Sequence, residues 1–207
     1  MTARTPAARL AGTLAALPVA VLLLLGGCAS SGAQPGIDAA TAATAVADVD
    51  GARVAPLAVT AGRVHVLLFV TTDCPVANSY APEISSLAAE LAGTEVTPFL
   101  VHVAPDVDAA SAKAHARAYG LELRILLDPE QRLARAVGAT ATPEAAVLTA
   151  AGVQYLGRID DRWRKLGADG QVPEHRDLRL AIAAVRTGRA VAQPRTEVVG
   201  CLLPTPR

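Results

Sequence analysis

The sequence predicts an α/β fold with a central mixed sheet and helices on both faces. Two observations carry the parallel part. Continuous apolar, β-branched runs at 64–70 and 96–103 read as strands buried on both sides. Segments with helical spacing, 75–91 and 108–119, alternate with them as βαβ units require. A third observation adds the antiparallel edge: two short strand-like runs, 145–149 and 153–159, are joined by Ala150-Ala151-Gly152, which fits a hairpin.

The elements follow in chain order. Asp50-Gly51 is a turn signal with Arg53 to Leu57 beyond it, a small hairpin ahead of the first core strand. In 75–91, Val76, Tyr80, Ile84, Leu87 and Leu91 fall on or near one face, and Gly93 ends the helix. Asp108 caps the next helix and Gly120 ends it. Residues 123–127 form a third strand-like run. Asp128-Pro129-Glu130 then reads as a capped helix start, with proline at the first position and an end near Gly138. After the hairpin, 163–173 is a loop and 174–187 a last helix stopped by Gly188.

The ends of the chain read differently from its middle. Arg4 and Arg9 precede an apolar run at 10–25, and Leu25-Gly26-Gly27-Cys28 follows. This is the layout of a secretory signal. Small residues before a cysteine at that point resemble the bacterial lipobox, which implies that residues 1–27 are a signal peptide and that Cys28 is lipidated, anchoring the chain to the membrane. An ordinary signal peptide or single membrane anchor with an incidental Cys28 is the alternative. Ala29 is not the aspartate of an inner-membrane retention signal, so the outer membrane of a double-membrane bacterium is expected. Residues 28–48, rich in Ala, Ser, Thr and Gly, read as a flexible tether. The domain then spans 49–188, and 189–207 is a C-terminal arm whose apolar stretch Val198 to Leu203 is expected to dock.

Charge excludes some functions. Lys+Arg and Asp+Glu tie at 19 each in 207 residues, and no basic run of five occurs. Nucleic acid is therefore not an expected partner. A composition 52% hydrophobic and 18% charged excludes a disordered chain.

Chemistry is expected at Cys74. It stands where a buried strand ends and a helix begins, where unpaired N–H groups and the helix dipole favour a thiolate. Asp73 opposes this by charge. An inert buried thiol is the bland reading. Three cysteines in an exported chain leave one unpaired; with Cys28 lipidated, only Cys74 and Cys201 remain, in a compartment that permits disulfides. Cys201 is either a small core residue of the arm or the partner of Cys74. The four histidines, 65, 102, 115 and 175, show no metal-ligand spacing and read as satisfied polar residues. Asp160-Asp161 reads as a solvated charged turn, or as a carboxylate pair for proton or cation work. No metal or cofactor is expected.

From about Val49 to Gly188 the chain resembles the thioredoxin-like redoxins, the alkyl hydroperoxide reductase and thiol-specific antioxidant group. The resemblance rests on the Phe69–Pro75 strand-Cys-Pro-helix junction, on Pro82 where thioredoxins kink this helix, and on Thr142-Pro143, which is similar to the family's cis-proline. The Asp50-Gly51 turn and the Gly157-Arg158-Ile159-Asp160-Asp161 stretch add to it. It implies a thioredoxin-like fold. Cys74 would attack a disulfide or peroxide, Thr71 would donate a hydrogen bond near the sulfur, and Pro143 would present backbone to an extended substrate. Cys201 or an external thiol would resolve the intermediate.

The departures are equally specific. Ala77 stands where dithiol thioredoxins have a second cysteine, Leu67 where peroxiredoxins have proline, and Asn78 where Sco-type copper proteins have cysteine. No residue is assignable as the peroxidatic arginine. The expected function is an envelope-anchored thiol oxidoreductase acting through Cys74 on a thiol/disulfide protein or a peroxide. Its rival is a non-catalytic thioredoxin-fold binding module stapled by a Cys74–Cys201 disulfide. Substrate identity, electron donor and oligomeric state carry no sequence signal.

Overall fold

Strand β3 (Val64–Val70) is the spine of the protein. A computed structural model describes residues 1–3, 37–167 and 170–205, and the fold is built from the compact unit Ala33–Arg207. Cys28 and the expected signal beyond residue 3 lie outside the described residues. Among the described residues no helix is long and apolar enough to cross a membrane.

On one side β3 pairs in parallel with β4 (Val96–His102), and β4 with β5 (Arg124–Leu127). On the other side it pairs antiparallel with β7 (Glu144–Thr149), which turns back into β8 (Gly152–Gly157). An N-terminal hairpin, β1 (Val46–Asp48) and β2 (Arg53–Val54), closes the far edge through an antiparallel β1–β5 ladder. The sheet order is β2-β1-β5-β4-β3-β7-β8: a parallel centre with two antiparallel flanks.

Strand periodicity divides the core into two layers. Val64, Val66, Leu68 and Val70 face one way. They meet Ile84, Leu87 and Leu91 of α3 (Ala81–Leu91), Ala112 and Ala116 of α4 (Ala109–Tyr119), and Leu178, Ala181 and Ile182 of α6 (Asp177–Arg186). Leu67 and Phe69 face the other way, against Leu133, Ala134 and Val137 of α5 (Arg132–Val137). This is the expected mixed sheet with helices on both faces. Among the described residues the remaining helices are short: α1 (Ala39–Ala42) and α2 (Pro75–Ser79).

Four expectations need adjustment. The single helix expected over 75–91 is split into α2 and α3 at Tyr80, because Pro82 has no N–H to continue the ladder. The helix after Asp128 starts at Arg132: residues 129–131 make a turn and Gln131 takes a left-handed conformation, φ 53°. Asp128 still caps it, reaching across the turn to accept from the N–H groups of Arg132, Leu133 and Ala134 at 2.8–3.1 Å. The last helix begins at Asp177 rather than 174, since the N–H groups of Glu174 and His175 are held by the Asp161 carboxylate. Part of the expected tether is also in the fold. Asp38 caps α1, and Val46 is buried in β1, so sheet pairing begins inside residues 28–48.

The arm docks along the β7–β8 side. The Leu156 N–H donates to the Pro194 carbonyl at 2.9 Å, and the Thr196 N–H returns a bond to Leu156 at 3.2 Å. Gly157 is required there, because a Cβ on it would stand 2.8 Å from the Thr196 backbone. The arm then runs to β9 (Cys201–Leu202), which pairs antiparallel with β6 (Ala141–Thr142) just ahead of Pro143.

Candidate active site

Cys74 is the N-cap of α2, at the end of the loop that leaves β3. Its backbone is extended, its sulfur accepts from the Ala77 N–H at 3.4 Å, and Pro75 at the first position sacrifices no hydrogen bond. The side chain is only 1% exposed. Its thiol donates to the Thr142 carbonyl at 3.2 Å. The Thr142–Pro143 peptide bond is cis.

Cys201 completes the site. Thr142 and Cys201 are register partners in the β6–β9 ladder, so the arm delivers Cys201 to the residue that already contacts Cys74. Both cysteines are free thiols. Burial disfavours the charged form of Cys74, but the neighbouring Cys201 thiol, the Ala77 N–H, the nearby Thr142 hydroxyl and the Cys201 backbone together outweigh it. The net shift is downward. Cys201 moves oppositely: burial, the neighbouring Cys74 thiol, and the charges of Cys74 and Asp73 push it up to about 11. One thiol is thus poised to ionise first and the other to hold its proton. Asp73, expected to oppose the Cys74 thiolate, helps to keep Cys201 protonated.

The other site residues are placed as follows. Thr71 is buried and lines a cleft of about 490 Å³ with Thr72, Asp73, Cys74, Asp106 and Cys201. The hydroxyl that favours the Cys74 thiolate is that of Thr142. Among the described residues Thr142 Oγ1 has no partner while Cys74 is a thiol; a thiolate gives it an acceptor. Sequence reasoning named Pro143 and passed over the threonine before it. The signal available was position alone: a hydroxyl next to the proline expected beside the sulfur.

Asn78, which stands where Sco-type copper proteins have cysteine, braces the loop. Its Nδ2 donates to the Thr72 carbonyl at 3.0 Å, and its Oδ1 pairs with His115 Nε2 at 2.9 Å. Behind it His102 meets His115 edge to face, ring centroids 5.1 Å apart. His102 was expected to be satisfied, and the structure corrects this. It is fully buried in the inward row of β4, and neither ring nitrogen has a hydrogen-bond partner among the described residues. Burial, and then the neighbouring His115, lower it to about 4, so it is a neutral core residue at physiological pH.

Asp160 and Asp161 are not a solvated turn; both are buried. Asp160 accepts from the Tyr80 hydroxyl at 2.9 Å and pairs with Arg162, whose guanidinium lies 4.5 Å over the Tyr80 ring. Asp161 Oδ1 is taken by the Glu174 and His175 N–H groups. Asp161, Glu174 and His175 do bring ligand atoms within 4.8 Å of one another, but backbone bonds already account for this carboxylate. Asp160 thus ties the segment after β8 to Tyr80, and Asp161 ties it to Glu174 and His175.

A family model described as Redoxin matches residues 35–164. The chain belongs to the Redoxin family. Among solved structures, this redoxin is similar to an uncharacterized conserved protein from Geobacillus kaustophilus (23% identity, TM-score 0.67, covering 78% of this chain and 87% of that one). It is also similar to a hypothetical protein from Sinorhizobium meliloti 1021 (23% identity, TM-score 0.66, 77% and 89%). A third is MTB dsbF, solved in mixed oxidized and reduced forms (20% identity, TM-score 0.52, 70% and 97%). No curated protein matches. At these identities the likeness shows the fold, which is thioredoxin-like.

Proposed function

We propose that this redoxin is a thiol–disulfide oxidoreductase with Cys74 as nucleophile and Cys201 as resolving thiol. The observation that carries the reading is the pair of free thiols at one place: Cys74 at a helix N-cap, its thiol on the Thr142 carbonyl, and Cys201 the ladder partner of that same Thr142, the first favoured as thiolate and the second held protonated. In the forward half-reaction the Cys74 thiolate attacks one sulfur of a substrate disulfide. A Cys74–substrate S–S bond forms, the substrate bond breaks, and the first substrate thiolate leaves and takes up a proton. Cys201 then gives up its proton and attacks Cys74 Sγ. The mixed disulfide breaks, the second substrate thiolate leaves and is protonated, and Cys74–Cys201 becomes the disulfide. Two electrons and two protons pass to the substrate, and an external dithiol returns them.

A disulfide fits the site better than a peroxide. The peroxidatic arginine that the family resemblance implies is missing from the described cleft lining, whose charged members are Asp73 and Asp106. Thr71 shapes the cleft wall, Thr142 stabilises the thiolate, and the backbone before Pro143 fixes the strand that carries the resolving thiol. In our reading Cys28 carries lipid and holds the domain on the envelope surface; Leu25-Gly26-Gly27-Cys28 supports this.

The test is a trap. Cys201→Ser incubated with a peptide disulfide is expected to accumulate a mixed disulfide on Cys74, whereas the wild type passes through it to an internal disulfide. No adduct on Cys74 in Cys201→Ser, with no turnover in the wild type, contradicts the reading and leaves a binding module.

A further inference from the structure

We propose that His115 is a positioning residue for Cys74: through Asn78 it holds the loop that presents the Cys74 sulfur at the start of α2. The proposal rests on Cys74 being the nucleophile. It adds a group outside the cleft that sets how readily that sulfur ionises.

Asn78 closes the loop twice. Its backbone N–H donates to the Cys74 carbonyl at 3.0 Å, and its side-chain Nδ2 donates to the Thr72 carbonyl at 3.0 Å. Residues 72–74 are therefore held at both ends by one residue. The same turn aims the Ala77 N–H at the Cys74 sulfur, 3.4 Å away. An amide that donates through Nδ2 has Oδ1 left as an acceptor, and this atom lies 2.9 Å from His115 Nε2. His115 must then carry its proton on Nε2, with Nδ1 bare. Nδ1 is buried without a partner among the described residues, which disfavours a second proton there. The network thus selects one neutral tautomer of His115.

The His115 ring is itself held in place. It is buried, with the His102 ring edge-on to it at 90° and 5.1 Å and the Tyr119 ring 4.9 Å away. His102 makes no side-chain hydrogen bond among the described residues, so what it supplies to His115 is packing. Helix α4, which carries His115, is fixed apart from the site. The Asp108–Ser111 capping box starts it, and Ala112 and Ala116 pack in the core. The contacts run from this helix through His115 and Asn78 to the Thr72 carbonyl, two residues before the nucleophile. A thiolate at an N-cap is favoured while an N–H points at it. Freeing Asn78 lets the loop turn and takes that N–H off the sulfur.

The test follows the Cys74 thiolate by its ultraviolet absorbance while the reduced full chain is titrated with base. His115→Leu removes the donor and keeps a side chain of similar size. It is expected to lower the thiolate-to-thiol ratio at a given pH about fivefold, the worth of one net hydrogen bond. His115→Gln restores an N–H donor and is expected to recover most of that loss. Asn78→Ala is expected to lower the ratio at least as far, and adding His115→Leu to it to change nothing more, because both act through one link. Asp108→Ala uncaps α4 and is expected to lower stability while leaving the ratio alone. An unchanged ratio in His115→Leu, losses that add in the double variant, or an equal loss in Asp108→Ala overturns the proposal. Should His115→Leu fail to fold, the wild type decides. Nitrogen NMR of isotope-labelled protein is expected to place the His115 proton on Nε2 and to show that signal moving as Cys74 ionises. A proton on Nδ1, or a signal that stays still, overturns the proposal. The readout is an ionisation at Cys74 and not turnover. Failure here leaves the exchange chemistry of Cys74 and Cys201 untouched, and absence of that exchange leaves this link intact.

Discussion

The Thr142 carbonyl accepts the Cys74 thiol at 3.2 Å, while Thr142 itself is the ladder partner of Cys201. One residue therefore connects two cysteines that lie far apart in sequence. It ties the reactivity of Cys74 to the position of the arm, because the neighbouring Cys201 favours the Cys74 thiolate.

That link makes the reactivity of Cys74 depend on pH and on Cys201. Alkylation of the reduced protein, resolved by residue in a mass spectrometer, is expected to show a Cys74 midpoint below the free-cysteine value of about 8.5. Cys201 is expected to titrate far above it, near the value of about 11 that burial and Cys74 impose. Cys201→Ala removes the donating thiol, so the Cys74 midpoint moves up. A Cys74 midpoint unmoved by Cys201→Ala would mean that the two thiols do not interact.

A second pH dependence lies in the core. His102 is neutral in the fold, held at about 4 by burial and then by His115, and it regains about 6.5 when unfolded. The unfolded chain binds the extra proton between those values, so stability is present above pH 6.5 and is lost as pH falls toward 4. The span corresponds to about 3 kcal/mol. Urea midpoints at pH 7 and pH 4.5 are expected to differ less in His102→Phe than in the wild type; equal differences would remove His102 from the account.

The two aspartates after β8 give a stability prediction. Asp160→Ala strips the buried partner from both the Tyr80 hydroxyl and Arg162 and is expected to cost about 3 kcal/mol. Asp160→Asn keeps an acceptor for Tyr80 and is expected to cost less. A change within about 0.5 kcal/mol for Asp160→Ala in urea unfolding would fit a solvated turn instead.

The sheet was legible from the sequence because it is built from strong local signals. Buried strands such as 64–70 are continuous apolar runs, and Asp108 and Gly120 bracket their helix as caps do. Where expectation and structure part, tertiary contacts decide. Nothing local says that Asp128 reaches across a turn whose third residue, Gln131, is left-handed and anchored to the Val103 carbonyl at 3.2 Å. Nothing local says that Asp160 is buried under Arg162. At the site, Cys74 was visible by its junction, and Cys201 by cysteine arithmetic. Thr142, Asn78 and the His102–His115 pair were not singled out as site residues, since their roles come from the packing of β6, α2, β4 and α4 against one another.

Anchoring is tested outside the folded domain. Cys28→Ser is expected to release the protein from the membrane fraction and to remove acyl mass from the mature N-terminus. An intact wild-type N-terminus without lipid, fractionating as before, would contradict a lipid anchor.

The central claim is that Cys74 and Cys201 are a working redox pair. Its most direct test is a redox titration of the purified full chain, following the Cys74–Cys201 disulfide by mass and by alkylation. A working pair forms one reversible two-electron disulfide with a potential above about −300 mV, and Cys201→Ser folds with little loss of stability. A disulfide that resists reduction below that potential, with Cys201→Ser costing roughly 2–5 kcal/mol, would make the pair a structural staple; two thiols that never pair would leave Cys74 without its resolving partner.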